Sequence, residues 1–276
     1  MANLRILADN VADTAALAAS SSAGGLVVGN LQDDERAAVW RSVGTSATLT
    51  ATWSDPQFID SAVLGWSNLT ALATVTVRVF AEVADAAPVA ELTTTVDSAR
   101  PLGEFAWGIA PLVQPSAGEG GVPQSAQVWL PGIALAKKVE IEIADPSNPA
   151  GYLQAARLSI GMRHEVTHNP VYGIRLRIVD AAKTSRAESQ ALRIEQQGTY
   201  RALDMDFAYL READVHFFQS LAARGKRPIF VSVFPDRPDS RRHAYAMFCA
   251  PAQQQHESAY QYLATWSQGL SLEEIA

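Results

Sequence analysis

The chain has 276 residues, of which 48% are hydrophobic and 18% charged, and its formal net charge at neutral pH is −7. This composition excludes a disordered or collagen-like chain, and the length suggests about two domains. No apolar run approaches the ~18 residues that span a bilayer, so membrane insertion is not expected. The first ten residues lack a charged segment followed by an apolar one, so export through the Sec pathway is not expected either.

The charge is unevenly divided along the chain. Residues 1–162 hold 8 Lys+Arg against 16 Asp+Glu, whereas residues 163–276 hold 14 against 13. This difference predicts two separate units that join near residues 161–170. Neither unit carries the basic stripe that nucleic-acid binding requires, so we expect no nucleic-acid partner.

Residues 1–162 have the pattern of a strand-rich domain. Short runs of Thr, Val, Ala and Ile alternate in a way that suits half-buried strands. The predicted strands are residues 47–53, 61–66, 73–81, 127–130, 138–143 and 153–160. Residues 99–131 are rich in Gly, Pro and Ser, which predicts a long surface loop with one strand at 105–109. Many short strands with little helix predict a jelly-roll β-sandwich.

Residues 163–276 have a different pattern. Residues 199–210 alternate strictly between large apolar and small or acidic side chains, which predicts a strand. Residues 211–224 are amphipathic at helical spacing, and Gly225 is a natural stop. Further strands are predicted at residues 229–234, 244–250, 260–266 and 270–275. The predicted fold class is therefore mainly β, with a C-terminal α+β domain (a sheet or split barrel with one helix) after the sandwich.

Asp204 and Asp206 are the best candidates for catalytic acids in the sequence. At spacing i, i+2 on a strand they share a face, as a general acid and base of a glycosidase could. The same face also carries Ala202 and Ala208, and the opposite face is large and apolar. This pattern favours a solvated face, so an enzyme is not expected, and a glycosidase stays as a third hypothesis.

Residues that could hold a metal or act as a nucleophile are few. His164 and His168 are four residues apart, but their segment resembles a linker or an edge strand, which does not bring i and i+4 together. Cys249 is the single cysteine and lies in an apolar run, which favours a buried thiol over a nucleophile. Phosphate-binding loops and hydrolase elbows are missing from the sequence. We therefore expect no catalytic residue, no cofactor and no metal.

Two further features could contact a partner. An arginine-rich segment (Arg237, Arg241, Arg242 and His243) lies between predicted strands, and a solvated hairpin tip is favoured over an anion or partner contact. The tryptophans could stack on sugar rings, but most tryptophans of sandwiches fill cores. At most one or two of five are expected to be exposed: Trp40, Trp53, Trp66, Trp107 and Trp129.

Residues 19–80 carry a resemblance to a known family. It rests on Asn30-Leu31-Gln32, Val39-Trp40-Arg41-Ser42, the alternating run 49–54 and the strands that follow, with residues 152–161 as a closing strand. This arrangement resembles galactose-binding-like, discoidin-type jelly rolls, particularly those of tailed-phage tail proteins. The resemblance covers about the first 160 residues and implies a jelly-roll fold. The sugar and calcium sites of this family lie in variable loops, so the resemblance assigns no ligand-binding residue here.

Residues 199–275 carry a second resemblance. Their order of strand, helix, Gly-Lys-Arg-Pro turn and further strands is similar to the ring-forming domain of phage distal tail and upper-baseplate proteins. In the distal tail family the ring domain usually comes first, whereas here it comes second.

The two resemblances together imply a non-enzymatic structural protein of a phage tail tip or baseplate, made in the host cytoplasm and located in the virion. Its C-terminal domain would form a homo-oligomeric ring around the tail axis and contact other tail proteins, with the sandwich facing outward. Four residues are the candidates for the assembly interface: Phe217, Leu270, Leu272 and Ile275. The alternative is a carbohydrate-binding adhesion module that recognises host surface polysaccharide.

Overall fold

The structure is a computed structural model that describes residues 2–96, 124–186, 192–237, 241–252, 257–260 and 265–275. Strands dominate these residues, and the predicted fold class, mainly β with a sandwich followed by an α+β part, is confirmed.

Within its described residues, the first half has ten strands and two short 3₁₀ helices (Val11–Thr14 and Val28–Gln32). The strands are β1 (Arg5–Leu7), β2 (Ala16–Ala19), β3 (Trp40–Arg41), β4 (Ser46–Ser67), β5 (Thr74–Phe80), β6 (Ala90–Thr95), β7 (Gln124–Ala144), β8 (Gln154–Ala155), β9 (Arg157–Gly161) and β10 (His164–Glu165).

The part of the second half that the structure describes has eight strands and two α-helices. These are β11 (Arg175–Asp180), β12 (Lys183–Arg186), β13 (Leu192–Glu195), β14 (Thr199–Leu210), α1 (Glu212–Ala223), β15 (Ile229–Ser232), α2 (Arg241–Ala244), β16 (Ala246–Pro251), β17 (Ser258–Tyr260) and β18 (Trp266–Glu274).

The chain forms two units, and each of them is made of two chain segments. The first unit comprises Met1–Glu165 and Ile229–Met247, and the second comprises Val166–Pro228 and Phe248–Ala276. The sequence predicted two consecutive domains, residues 1–162 and 163–276. The difference arises because β15 pairs with β1, near the start of the chain.

The sandwich of the first unit is built on β4 and β7, which pair antiparallel along most of their length. Their register shifts between Thr52 and Gln57, which divides each strand into two parts. Up to Thr52, β4 also pairs with β2, and the facing part of β7 pairs with β5 and through it with β6. Beyond the shift, β4 pairs with β9. The smaller sheet β3–β8 completes the strands of the sandwich.

The core lies between the two parts of these long strands. Ala62 and Leu64, from the second part of β4, line the same small apolar space as Val75 and Val77 of β5. All four side chains are at most 3% exposed. Fully burying a valine or leucine stabilises a fold by about 1.5–3 kcal/mol, so this contact of two layers is a main source of the stability of the unit.

Several predicted strands proved to be parts of longer ones. The predicted strands 47–53 and 61–66 belong to β4, and 127–130 and 138–143 belong to β7. A proline ordinarily indicates a turn or the end of a strand. Pro56 and Pro131 instead lie within irregularities of the pairing between β4 and β7, where a strand tolerates proline, so both strands continue past them. The predicted loop 99–131 was wrong at its end, since residues 124–131 are part of β7, and the strand predicted at 105–109 lies outside the described residues.

Three strands of the first unit, β10, β1 and β15, hold the site described below. Strand β1 lies between β10 and β15, with Arg5 opposite Glu165 on one side and opposite Ser232 on the other. This strand was not among those predicted, because a run of three residues gives too short a pattern to recognise.

In the second unit, β18 lies between β14 on one side and β16 and β17 on the other, and β11 pairs with the far side of β14. Strands β12 and β13 form a separate hairpin. The predicted helix is confirmed as α1, which buries Val215, Phe218 and Leu221 and packs Phe218 on Phe207 at 5.2 Å. It ends before Gly225, whose φ of +70° favours glycine.

Candidate ligand-binding site

The alternation of side chains along β7 creates a polar face outside the sandwich. Ala126, Val128 and Leu130 belong to the hydrophobic core. Since successive side chains of a strand point to opposite faces, Gln127 and Trp129 lie on the other face. Trp129 is half-buried there, and its ring lies 6.4 Å from that of Phe230, centroid to centroid.

Gln127 is held in one orientation by hydrogen bonds at both ends of its amide. The hydroxyl of Ser232 donates to Gln127 Oε1 at 2.8 Å, and Gln127 Nε2 donates to the hydroxyl of Ser125 at 3.1 Å. Gln127 is only 1% exposed. A buried amide with both ends satisfied is rigid, so it can fix the groups that bind to it.

Arg5 is fixed beside Trp129 by two carboxylates. Its Nε donates to Glu165 at 3.1 Å and its Nη1 to Asp236 at 3.2 Å, while the guanidinium carbon lies 5.3 Å from the centroid of the Trp129 ring. The side chain of Arg5 is 11% exposed, and that of Asp236 is 51% exposed.

The segment that follows β15 completes the site. Arg242, on helix α2, donates from Nη2 to the backbone oxygen of Gln127 at 2.9 Å. The guanidinium of Arg237 lies over the ring of Phe234, 5.3 Å from its centroid. The sequence favoured a solvated hairpin tip for this segment. That prediction is wrong for Arg242, because its side chain contacts the backbone of β7.

These residues surround a cavity of about 380 Å³, which we call the Trp129 cavity. Its lining comprises Arg5, Leu92, Thr94, Thr95, Gln127, Trp129, Pro235, Asp236, Arg237 and Arg242. All ten residues belong to the first unit. The volume falls within the range of about 300–1,000 Å³ that small-molecule sites occupy.

The indole N–H of Trp129 is buried, and none of the described residues accepts a hydrogen bond from it. A buried donor without an acceptor costs about 1–3 kcal/mol. The cavity itself combines an aromatic side chain with several donors held in fixed orientations.

A buried carboxylate lies behind the site. Asp60 accepts a hydrogen bond from the backbone N–H of Arg163 at 2.8 Å, and the side chain of Arg163 donates to the backbone oxygen of Leu130 at 2.9 Å. Burial raises the pKa of Asp60 above its usual value of 3.8, and the hydrogen bond from Arg163 opposes this shift. Arg163 thereby connects β7 to the residues that follow β9.

The predicted assembly residues lie in different environments. Leu270 and Leu272 are 1% and 0% exposed, and β18 is paired on both sides, so these two side chains have no surface to offer a partner. Phe217 and Ile275 are half-buried, and the ring of Phe217 packs edge-on against Phe218 at 5.7 Å. Assembly through Phe217 and Ile275 stays a prediction.

Asp204 and Asp206 lie on the more exposed face of β14, as the alternation predicted. Asp204 forms an ion pair with Arg177 at 2.9 Å, and Asp206 is exposed. The alternation ends after Phe207, where the register shifts and Tyr209 becomes 60% exposed.

The remaining candidates give no reactive centre within the described residues. His164 lies on β10 opposite Ile6, in an edge strand as the sequence favoured. In the described part of the chain, no three His, Cys, Asp or Glu side chains are grouped as metal ligands. Cys249 is fully buried, and burial raises the pKa of its thiol, which fits the structural role predicted for it.

The tryptophans divide as expected between core and surface. Trp40 and Trp53 are buried in the sandwich, whereas Trp66 and Trp129 are half-buried. Trp107 lies outside the described residues. The local sequence around Arg5, Gln127 and Asp236 does not predict the cavity, because the three residues come from segments that are far apart in the chain.

No family model and no curated protein matches the chain. It is similar to a chitosan-binding module of a chitosanase/glucanase from Paenibacillus sp. IK-5, with 15% identity over 56% of this chain and 99% of that module and a TM-score of 0.37. It is also similar to the lectin domain of lectinolysin, solved with the Lewis B antigen (14%, 55% and 95%, TM-score 0.38), and to the CBM32 of AlyQ (16%, 58% and 97%, TM-score 0.35). At these identities and TM-scores the likenesses carry no argument about function. None of the described helices combines the length and the apolar character needed to cross a membrane.

Proposed function

We propose that the protein is a non-catalytic carbohydrate-binding protein that takes a saccharide into the Trp129 cavity. The observation that carries this proposal is the combination, in one cavity, of an aromatic side chain with polar groups held in fixed orientations. This is the composition of small-molecule sites in general, where a few placed polar groups set the orientation of the ligand.

A saccharide fits this lining for a chemical reason. Sugar rings carry hydroxyls that both donate and accept hydrogen bonds, beside C–H faces that pack on aromatic rings. The cavity offers donors on Arg5 and Arg242, an acceptor on Asp236 and hydroxyls on Thr94 and Thr95. The half-buried ring of Trp129 supplies the apolar contact.

The absence of a second carboxylate in the lining supports a binding role over hydrolysis. Glycoside hydrolysis ordinarily uses two carboxylates, one on each side of the bond that breaks. Among the residues that line the Trp129 cavity as the structure describes it, Asp236 is the only acid, and it is ion-paired with Arg5.

A Trp129→Ala variant tests this proposal on a glycan array and by calorimetry with the glycans that bind the unchanged protein. We expect binding to fall by a factor of about ten, because the aromatic contact with the sugar ring is removed. Trp266→Ala is the matched control, since Trp266 is a half-buried tryptophan of the second unit and does not line the cavity. Circular dichroism checks that both variants fold. An array without hits, or equal binding by Trp129→Ala, would contradict the proposal.

A second candidate function is a structural role in the virion, as a homo-oligomeric ring of a phage tail tip or baseplate that displays the sandwich outward. It is supported by the edge of the second unit: β11 pairs with β14, and no described strand pairs with its other side. Ile178 on this strand is 76% exposed. An open edge with an exposed apolar residue can pair with another chain.

Light scattering over a range of concentrations tests the ring. We expect oligomers that dissociate in an Ile178→Asp variant, because a charge at the edge opposes pairing. Tyr172→Asp is the matched control, because Tyr172 is an exposed residue outside the strand. Leu176 is half-buried and is therefore not used as a control. A protein that remains a monomer at every concentration would contradict this second candidate.

A further inference from the structure

We infer that the Trp129 cavity selects acidic saccharides, binding the carboxylate or sulfate group of the sugar through Arg242 and Arg5. This inference rests on the proposed function and adds the chemical class of the ligand.

The lining is far richer in donors than in acceptors. Three arginines line the cavity, and each guanidinium has five N–H donors and no acceptor. Asp236 is the only carboxylate among the lining residues. A ligand that fits this set presents several acceptor oxygens close together, as a carboxylate or a sulfate does.

The donors are also fixed before a ligand arrives. Arg242 is held by the backbone oxygen of Gln127, and the side chain of Gln127 is held by Ser125 and Ser232. Arg5 is held by Glu165 and Asp236 through two of its nitrogens. Fixed donors lose little entropy on binding. The two parallel N–H groups of a guanidinium match an anion that presents two oxygens side by side.

The charge of the surrounding unit makes the arginines distinctive. Residues 1–162 hold 8 Lys+Arg against 16 Asp+Glu, so the surface of the sandwich is acidic in general. Arg237 and Arg242 enter the cavity from the short segment 229–247 instead. A positive site on an acidic unit attracts an anionic ligand locally, whereas the surrounding surface repels it, so binding is directed to the cavity.

Calorimetry on the full chain tests the inference with matched ligands. The carboxylate pair is trigalacturonate and its carboxyl-reduced counterpart, a galactose trimer. The sulfate pair consists of oligosaccharides of a sulfated galactan and the same oligosaccharides after desulfation. We expect at least one anionic member to bind about tenfold or more tightly than its neutral counterpart, as a charge-assisted hydrogen bond would give.

Two arginine variants locate the effect. Arg242→Gln is expected to weaken binding of the preferred anionic ligand about tenfold more than it weakens binding of the neutral member of the pair. Arg241→Gln is the matched control, because Arg241 is the exposed neighbour on the same helix and does not line the cavity. The two variants are expected to unfold at the same temperature as the unchanged protein, within a few degrees.

The outcomes separate this inference from the proposed function. Equal affinity for the anionic and neutral members, or an equal effect of Arg241→Gln and Arg242→Gln, would overturn the selection of acidic saccharides while glycan binding still held. If no member of either ligand pair binds and the glycan array gives no hits, the proposed function is overturned as well.

Discussion

The buried ion pair of Arg201 and Glu274 makes a strong prediction about the stability of the second unit. Arg201 is 7% and Glu274 is 9% exposed. Glu274 Oε1 accepts from Arg201 Nη2 at 2.7 Å, and Oε2 accepts from both Nε and the backbone N–H of Arg201 at 3.0 Å. Glu274→Ala removes three hydrogen bonds at once and leaves a guanidinium buried without its carboxylate.

The expected loss for Glu274→Ala is about 3–5 kcal/mol in the free energy of unfolding, the range for breaking a buried pair by removing one partner. Glu273→Ala is the matched control. Glu273 is the exposed neighbour on the same strand, so its removal is expected to change stability by no more than about 0.5 kcal/mol.

Urea unfolding monitored by circular dichroism measures these losses, and hydrogen exchange of the β14 and β18 amides locates them in the second unit. The double variant Arg201→Met/Glu274→Leu is expected to recover part of the loss, since it removes both buried charges. A loss below about 1 kcal/mol for Glu274→Ala, or no recovery in the double variant, would refute the reasoning that an unpaired buried charge is the cause.

Three further predictions concern single buried positions. Burial raises the pKa of Asp60, so the stability that its carboxyl contributes is full below pH 3.8 and is lost as the pH rises through the raised pKa. Asp60→Asn should therefore gain stability relative to the unchanged protein as the pH rises in urea titrations, and a difference independent of pH would contradict this. Gly161→Ala should reduce the melting temperature strongly or prevent folding, because the added methyl group would overlap the backbone oxygen of Asp9; an unchanged melting temperature would show that the strand can shift. The Cys249 thiol should resist alkylation at about pH 8 until the protein is unfolded, because burial raises its pKa and closes access; rapid labelling of the folded protein would count against the structure at this position.

Local patterns were enough to predict the elements whose signals are local. The strict alternation of residues 199–210 predicted β14 with the same limits, and the amphipathic run after it predicted α1 to within one residue at each end. Strand β1 was missed because its pattern is three residues long and its partners, Glu165 and Ser232, are far away in sequence.

The candidate site was beyond local prediction for the same physical reason. The sequence drew attention to Trp129 and to the arginine-rich segment around Arg242, but it gave no sign that the two meet. Their contact runs through the backbone oxygen of Gln127, which no side-chain pattern reveals. The buried Gln127 itself reads as one polar residue in an apolar strand, a signal that could have marked a site.

The return of residues 229–247 to the first unit has a consequence for the order in which the protein folds during synthesis. Strands β4, β7 and β9 can pair as soon as the first 165 residues have left the ribosome. Arg5 must wait for Asp236, which lies 231 residues further along the chain. Contacts of such long separation form late because they require large loops to close. The cavity is thus among the last parts of the first unit to be assembled. Ligand binding would therefore detect the completed first unit, whereas circular dichroism would already detect the strands of the sandwich.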